Sequence, residues 1–184
     1  MNNRKRLKQI LCEKSVKRGE FTLASGKKSD YYLDCRLTTL DAEGALCTGM
    51  EVLELVRTLT PLPKAVGGPT LGADPVVAVT AALSAQDAGL KVSAFIIRKE
   101  TKQHGMQQII EGWRGDKGDP VVIVEDTCTT GGSAVRAIEQ ARASGLQVIA
   151  AVCIVDREEG GREAIEKHCP FHALFTAREL LAGM

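Results

Sequence analysis

Residues 121–142, VVIVEDTCTTGGSAVRAIEQAR, open as an apolar run, meet two carboxylates at Glu125 and Asp126, cross a stretch of Thr and Gly, and close on a helix-forming segment. Val121 to Val124 is continuous and β-branched, which predicts a strand buried on both faces. Ser133 to Ala143 reads as a helix, with Gly145 past its end. The acids therefore fall at the end of a buried strand, directly before a loop of small residues.

The same alternation continues on both sides. Arg4 to Val16 reads as a short amphipathic helix, and Phe21 to Leu23 and Tyr31 to Leu33 as short strands around Ser25-Gly26. Asp41 to Leu59 is helical, with Pro61 and Pro63 just beyond it. Ala65 to Gly68 and Val92 to Ile97 are strands on either side of a helix from about Asp74 to Ala88. Gln147 to Val155 and Phe171 to Phe175 are the last strands, and Thr176-Ala177-Arg178-Glu179 matches a capping box. Lys99 to Gly118 is polar and glycine-rich, a loop of the length that is usually functional or mobile. Strands alternating with helices predict a Rossmann-like α/β fold, a parallel sheet with helices on both faces.

Bulk composition narrows the function by exclusion. The chain has 184 residues, which suits one domain, with 44% apolar and 26% charged residues. A net charge of +1 gives no global attraction to nucleic acid or membrane. The basic start MNNRKRLKQIL lacks the apolar stretch of a signal peptide, and no run approaches membrane-spanning length. Cysteines 12, 35, 47, 128, 153 and 169 form no CxxC, and His104, His168 and His172 do not cluster with them. Free thiols, a cytoplasmic location and no zinc site are expected.

The strand-end acids and the loop have complementary chemistry. In a parallel sheet, ligands bind at the carboxyl ends of the strands. A helix N-terminus presents unpaired N–H groups and partial positive charge, so the loop Thr127 to Gly132 before Ser133 suits a phosphate. Glycines allow close backbone approach, and Thr and Ser hydroxyls add donors. Carboxylates would repel that phosphate but accept hydrogen bonds from the vicinal hydroxyls of a sugar. The stretch reads as a sugar-phosphate site. Neither GxxxxGK[ST] nor GxGxxG is present.

This stretch resembles the phosphoribosyl diphosphate signature of the type I phosphoribosyltransferases. Gly19 to Asp34 (GEFTLASGKKSDYYLD), Arg98 to Gly105 (RKETKQHG) and Val155 to Gly161 (VDREEGG) resemble the N-terminal motif, the catalytic loop and the orotate-binding turn of the orotate-specific branch. With GGPTLGADPVV between them, the likeness spans most of the chain in the expected order. It implies a single domain over 1–184, a small N-terminal hood (about 1–38) over a core (about 39–184), and a flexible catalytic loop. It implies transfer of the 5-phosphoribosyl group from 5-phospho-alpha-D-ribose 1-diphosphate to orotate, giving orotidine 5'-monophosphate in pyrimidine biosynthesis. Mg2+ is implied, held mainly through substrate, as is a homodimer with shared active sites.

The resemblance assigns Glu125 and Asp126 to the ribose hydroxyls and the segment Thr127, Cys128, Thr129, Thr130, Gly131, Gly132 and Ser133 to the phosphoribosyl diphosphate, with the 5-phosphate cradled by 129–133. It places Arg98, Lys99, Lys102 and His104 around the diphosphate, with Lys102, Asp126 and Arg98 in the catalytic roles. Thr129, Arg157, Tyr31 and Tyr32 fall to orotate. Neighbours on a strand alternate, so only one tyrosine should face the base. Some relatives place lysines where this chain has Ala24 and Gly72; backbone amides around Thr70 to Ala73, or Lys27 and Lys28, are the candidate substitutes. The competing functions are a non-catalytic phosphoribosyl diphosphate sensor and a transferase for another base. Lys102 argues against the first and Arg157 against the second.

Overall fold

The computed structural model describes residues 2–22, 26, 28–87, 89–98, 109–182 and 184. Six strands form the central sheet: β3 (Ala65–Pro69), β4 (Ser93–Ile97), β5 (Ile110–Gly112), β6 (Pro120–Cys128), β7 (Gln147–Asp156) and β8 (Phe171–Thr176), in the order β5-β4-β3-β6-β7-β8. All neighbours pair in parallel except β5, which runs antiparallel along the edge beside β4. Helices cover both faces, as the α/β reading requires.

Alternation along β6 divides the core. Val122 and Val124 pack into one layer with Val66, Val152 and Ile154. Val121 and Ile123 enter the opposite layer with Phe95, Ala151 and Cys153. All four β6 residues are fully buried, so the continuous apolar run reflects a strand covered twice. The first layer is closed by α1 (Asn3–Ile10), α3 (Ala42–Arg57), α4 (Ala73–Ser84) and α7 (Ala177–Leu181); α5 (Gly132–Ala143) and α6 (Gly161–Glu166) close the second. In α4, Ala73, Val76, Val77, Thr80 and Ser84 are buried, a 3.6-residue stripe. Asp41 caps α3 by accepting from Gly44 N–H at 3.0 Å.

A second, two-stranded sheet lies outside the core. β1 (Val16–Thr22) and β2 (Lys28–Leu33) form an antiparallel hairpin whose register shifts between Arg18 and Phe21. Val16 and Leu33 tie it to the first core layer, and Arg18 Nη2 donates to the Leu181 carbonyl at 2.7 Å.

Several elements differ from the sequence reading. The first helix ends at Ile10 and continues as one wide π-turn over Leu11–Ser15. A short α2 (Arg36–Thr39) precedes α3, and α6 fills the stretch after Gly160. β6 extends through both acids to Cys128, because β7 offers it partners: Glu125 lies opposite Cys153 and Cys128 opposite Asp156. The capping box of α7 forms as expected, with Glu179 N–H donating to Thr176 Oγ1 at 3.1 Å and Thr176 N–H to Glu179 Oε2 at 2.7 Å.

Candidate active site

The carboxyl ends of β3, β6 and β7 meet at one edge of the sheet. Glu125 and Asp126 occupy successive positions there, so they leave β6 on opposite sides. Asp126 is packed against the β3–α4 loop: a Cβ at Gly72 would lie 2.4 Å from its Oδ1, so a side chain there would displace the carboxylate. The Thr70–Leu71 peptide in the same loop is cis. Thr127 N–H donates to Asp126 Oδ1 at 2.7 Å. Burial pushes the Asp126 carboxyl above the usual carboxylate range, against the pull of that N–H and of the Arg36 guanidinium. Arg36 is itself gripped by Asp34 through two bonds, Nε to Oδ1 at 2.8 Å and Nη2 to Oδ2 at 2.9 Å.

The loop after β6 is shaped for an anion. Gly131 caps α5 in the left-handed region (φ 77°) and supplies no side-chain acceptor, so the first-turn N–H groups of this helix are left for a ligand. A Cβ there would also meet the Gly161 carbonyl at 2.8 Å. Thr129 and Ser133 are half-buried around this turn and Thr130 is exposed. Cys128 is buried beneath it; burial, with the Asp156 and Glu125 charges, pushes its thiol up to about 12. It packs as a neutral group, not as a nucleophile.

Arg157 follows β7 and approaches from the other side. Its backbone N–H donates to the Cys128 carbonyl at 2.8 Å. Its side chain is only 7% exposed, with Nε donating to Glu159 Oε1 at 2.8 Å and Cζ 4.7 Å over the Tyr31 ring. This ion pair with a neighbouring acid is largely buried and engages the guanidinium through Nε. Tyr31 and Tyr32 alternate as expected: Tyr31 packs inward on Arg157, whereas Tyr32 is 41% exposed beside Phe21, centroids 5.6 Å apart. Arg98 directly follows β4 and pairs with Glu111, Nη1 to Oε1 at 2.8 Å. Lys99, Lys102 and His104 lie outside the described residues, as do Ala24 and Lys27.

One contact escaped the sequence reading: Asp126 and Gly72 are far apart in sequence, and nothing local announces their meeting. A pairing of Arg157 with Glu158 or Glu159 can be read from VDREEGG itself, and the backbone turn at Glu158 decides it for Glu159. Among the described residues, no group of three or more His, Cys, Asp or Glu side chains converges as a metal cage. A cleft of about 470 Å³ opens beside Tyr31 and Arg157 toward α7. Another of about 560 Å³, lined by Lys64, Trp113 and Asp119 among others, lies at the opposite, N-terminal ends of β3 and β6, away from the acids and the phosphate loop.

No family model matches the chain. It is 43% identical over 185 residues to the orotate phosphoribosyltransferase of Aquifex aeolicus, covering 98% of this chain and 99% of that protein. The chain belongs to the orotate phosphoribosyltransferase family. The enzyme of that name from Rhodopirellula baltica is 44% identical over 175 residues, covering 92% and 90% of the two chains. The crystal structure of Mycobacterium tuberculosis orotate phosphoribosyltransferase in complex with 5-phospho-alpha-D-ribosyl 1-diphosphate matches with TM-score 0.80 at 32% identity, over 99% of each chain. The likeness thus runs through both sheets and the helices together. Among the described residues, no helix of this family member is long and apolar enough to cross a membrane.

Proposed function

We propose that the protein transfers the 5-phosphoribosyl group of 5-phospho-alpha-D-ribose 1-diphosphate to orotate, releasing diphosphate and giving orotidine 5'-monophosphate for pyrimidine synthesis in the cytoplasm. The observation that carries this reading is the convergence at one strand edge of a phosphate-shaped loop, a pair of acids and a buried arginine stacked on tyrosine. Asp126 and Glu125 accept from the ribose hydroxyls, and the amides and hydroxyls of 129–133 hold the 5-phosphate. The Nη groups of Arg157 take the carboxylate of orotate in a bidentate pair, a contact uracil lacks. Thr129 and Tyr31 flank the ring, and Tyr32 shapes the hood from outside.

Loss of diphosphate from C1 is the demanding step, leaving oxocarbenium character on the ribose. Arg98 and the loop cations Lys99, Lys102 and His104 neutralise the leaving group and keep water from C1. The orotate ring reacts as an anion and needs no strong base. The protein's donor set fits Mg2+ carried in by substrate oxygens, since hard oxygen ligands are present and, among the described residues, no dedicated cage converges. When bound, that ion supplies further charge neutralisation on the diphosphate. Residues 1–184 act as one domain, with the hood of about 1–38 closing over the core.

The working unit in this reading is a homodimer whose loop 99–108 serves the partner's site. An apolar face on neighbouring helices supports it: Leu37 of α2 with Leu40, and Leu46 and Met50 on one side of α3, are 42–72% exposed.

Orotate absorbance followed with each component omitted in turn tests the function. Consumption should require phosphoribosyl diphosphate and a divalent ion together. Equal rates with hypoxanthine or uracil, or none with orotate, would overturn the assignment. The Gly72 contact gives a sharper expectation. Gly72→Ala drives a methyl group into the Asp126 carboxylate and should lower kcat/KM for phosphoribosyl diphosphate about tenfold, the worth of one charge-assisted hydrogen bond. An unchanged value would mean that Asp126 moves aside without loss.

A further inference from the structure

The turn after β7 is built to aim one side chain. Asp156 is buried, and its Oδ1 accepts the Glu158 N–H at 2.9 Å while Oδ2 pairs with Arg162 Nη2 at 3.3 Å. Glu158 is the one described residue other than glycine with positive φ, at 58°. A residue that is not glycine held there marks a turn over-determined by its surroundings. In an extended strand the side chains of Arg157 and Glu159 would run parallel and apart. The left-handed step at Glu158 folds Glu159 back until its Oε1 meets Arg157 Nε at 2.8 Å.

This bond uses one of the five guanidinium N–H donors. The four Nη–H donors make no hydrogen bond to a described residue, while Tyr31 covers one face of the group at 4.7 Å. Nε is fixed, one face is stacked, and the backbone N–H is tied to Cys128. A planar fork held at these points presents its Nη edge in a single orientation, which suits a planar carboxylate.

We propose that Glu159 is a positioning residue, which fixes the Arg157 guanidinium so that its Nη pair is set for the carboxylate of the base before the base arrives. The proposal rests on Arg157 being the orotate anchor. Glu159 itself touches no substrate. It removes the orientational freedom that a long arginine would otherwise lose on binding, and so acts on affinity for orotate alone.

Four proteins test this: wild type, Arg157→Ala, Glu159→Ala and Glu159→Gln, each checked for an unchanged melting curve. For each, kcat and both Michaelis constants are measured. Glu159→Ala should raise KM for orotate about tenfold, with kcat at saturating orotate and KM for phosphoribosyl diphosphate each within about twofold of wild type. Glu159→Gln keeps an oxygen acceptor for Nε and should return KM for orotate to within about threefold of wild type. A Glu159→Ala variant with wild-type KM for orotate overturns the proposal while Arg157→Ala alone still shows the anchor. Equal rises in both Michaelis constants, or a glutamine variant no better than alanine, overturn it in favour of a charge or packing role. If Arg157→Ala leaves KM for orotate unchanged, the anchor itself fails and this proposal with it.

Discussion

Asp126→Asn should lower turnover roughly tenfold to a hundredfold while making the protein more stable at neutral pH. The loss follows from the proposed ribose contact, because a charge-assisted hydrogen bond is worth about 1.5–3 kcal/mol and an amide is a poorer acceptor. The gain follows from burial. The folded chain holds a proton on Asp126 more tightly than the unfolded chain does, since desolvation raises its pKa. Stability therefore falls as pH rises from the unfolded value of about 3.9 through the raised native value, and the cost persists above it. Asparagine removes that cost and keeps the oxygen that accepts from Thr127 N–H. The melting temperature should rise by about 2–4 °C for each kcal/mol recovered, and the difference should vanish below the carboxylate range. Kinetics and melting curves at pH 7 and pH 3 check both halves. A variant that melts lower at neutral pH, or turns over normally, would show that the carboxylate serves the fold and not the sugar.

The second large effect is the recovery of activity from two impaired proteins, assayed at an orotate concentration too low for either alone. Lys102→Ala removes the proposed lid cation, and Arg157→Ala removes the orotate anchor. In a mixed dimer with shared sites, one site receives an intact lid and an intact pocket, and the other receives both defects. Random reassortment makes about half the dimers mixed, so about a quarter of all sites should work, given two-fold symmetry. The two variants are unfolded together, refolded and assayed against each alone. Recovery near that level supports the shared site. No recovery, with mixed dimers confirmed by mass spectrometry, would place each loop over its own subunit's site.

What could be read from the sequence was what depends on neighbours along the chain. Val121 to Val124 announced a buried strand because every residue is β-branched and apolar. The α7 capping box needs only residues three apart, and it formed. The opposed tyrosines follow from strand geometry alone. The errors came where tertiary contact decides. Glu, Asp and Thr are poor evidence for a strand, and only the edge of β7 carries β6 on to Cys128. β5 has three residues, too few for a period, and exists because it borders β4. Of the site, the acids, the loop and Arg157 were legible as motifs. The seating of Asp126 on Gly72 was not, since it spans two loops, and which of Glu158 and Glu159 pairs with Arg157 turns on a single backbone angle.

The packing of the VDREEGG turn on the phosphate loop bears on how this scaffold could be given a new substrate. A side chain at Gly161 would strike Cys128 Sγ at 2.3 Å and the Thr129 carbonyl at 2.7 Å, and one at Gly131 would strike Gly161 in return. The two loops are keyed into each other at backbone level, so grafting a turn from another transferase would dislodge the seat of the phosphate. Retargeting by engineering or by drift is thereby confined to the side chains that project from the keyed backbone. In the proposed reading, selectivity for the base can change one residue at a time at positions 157 and 159, while the grip on the sugar phosphate is inherited unchanged.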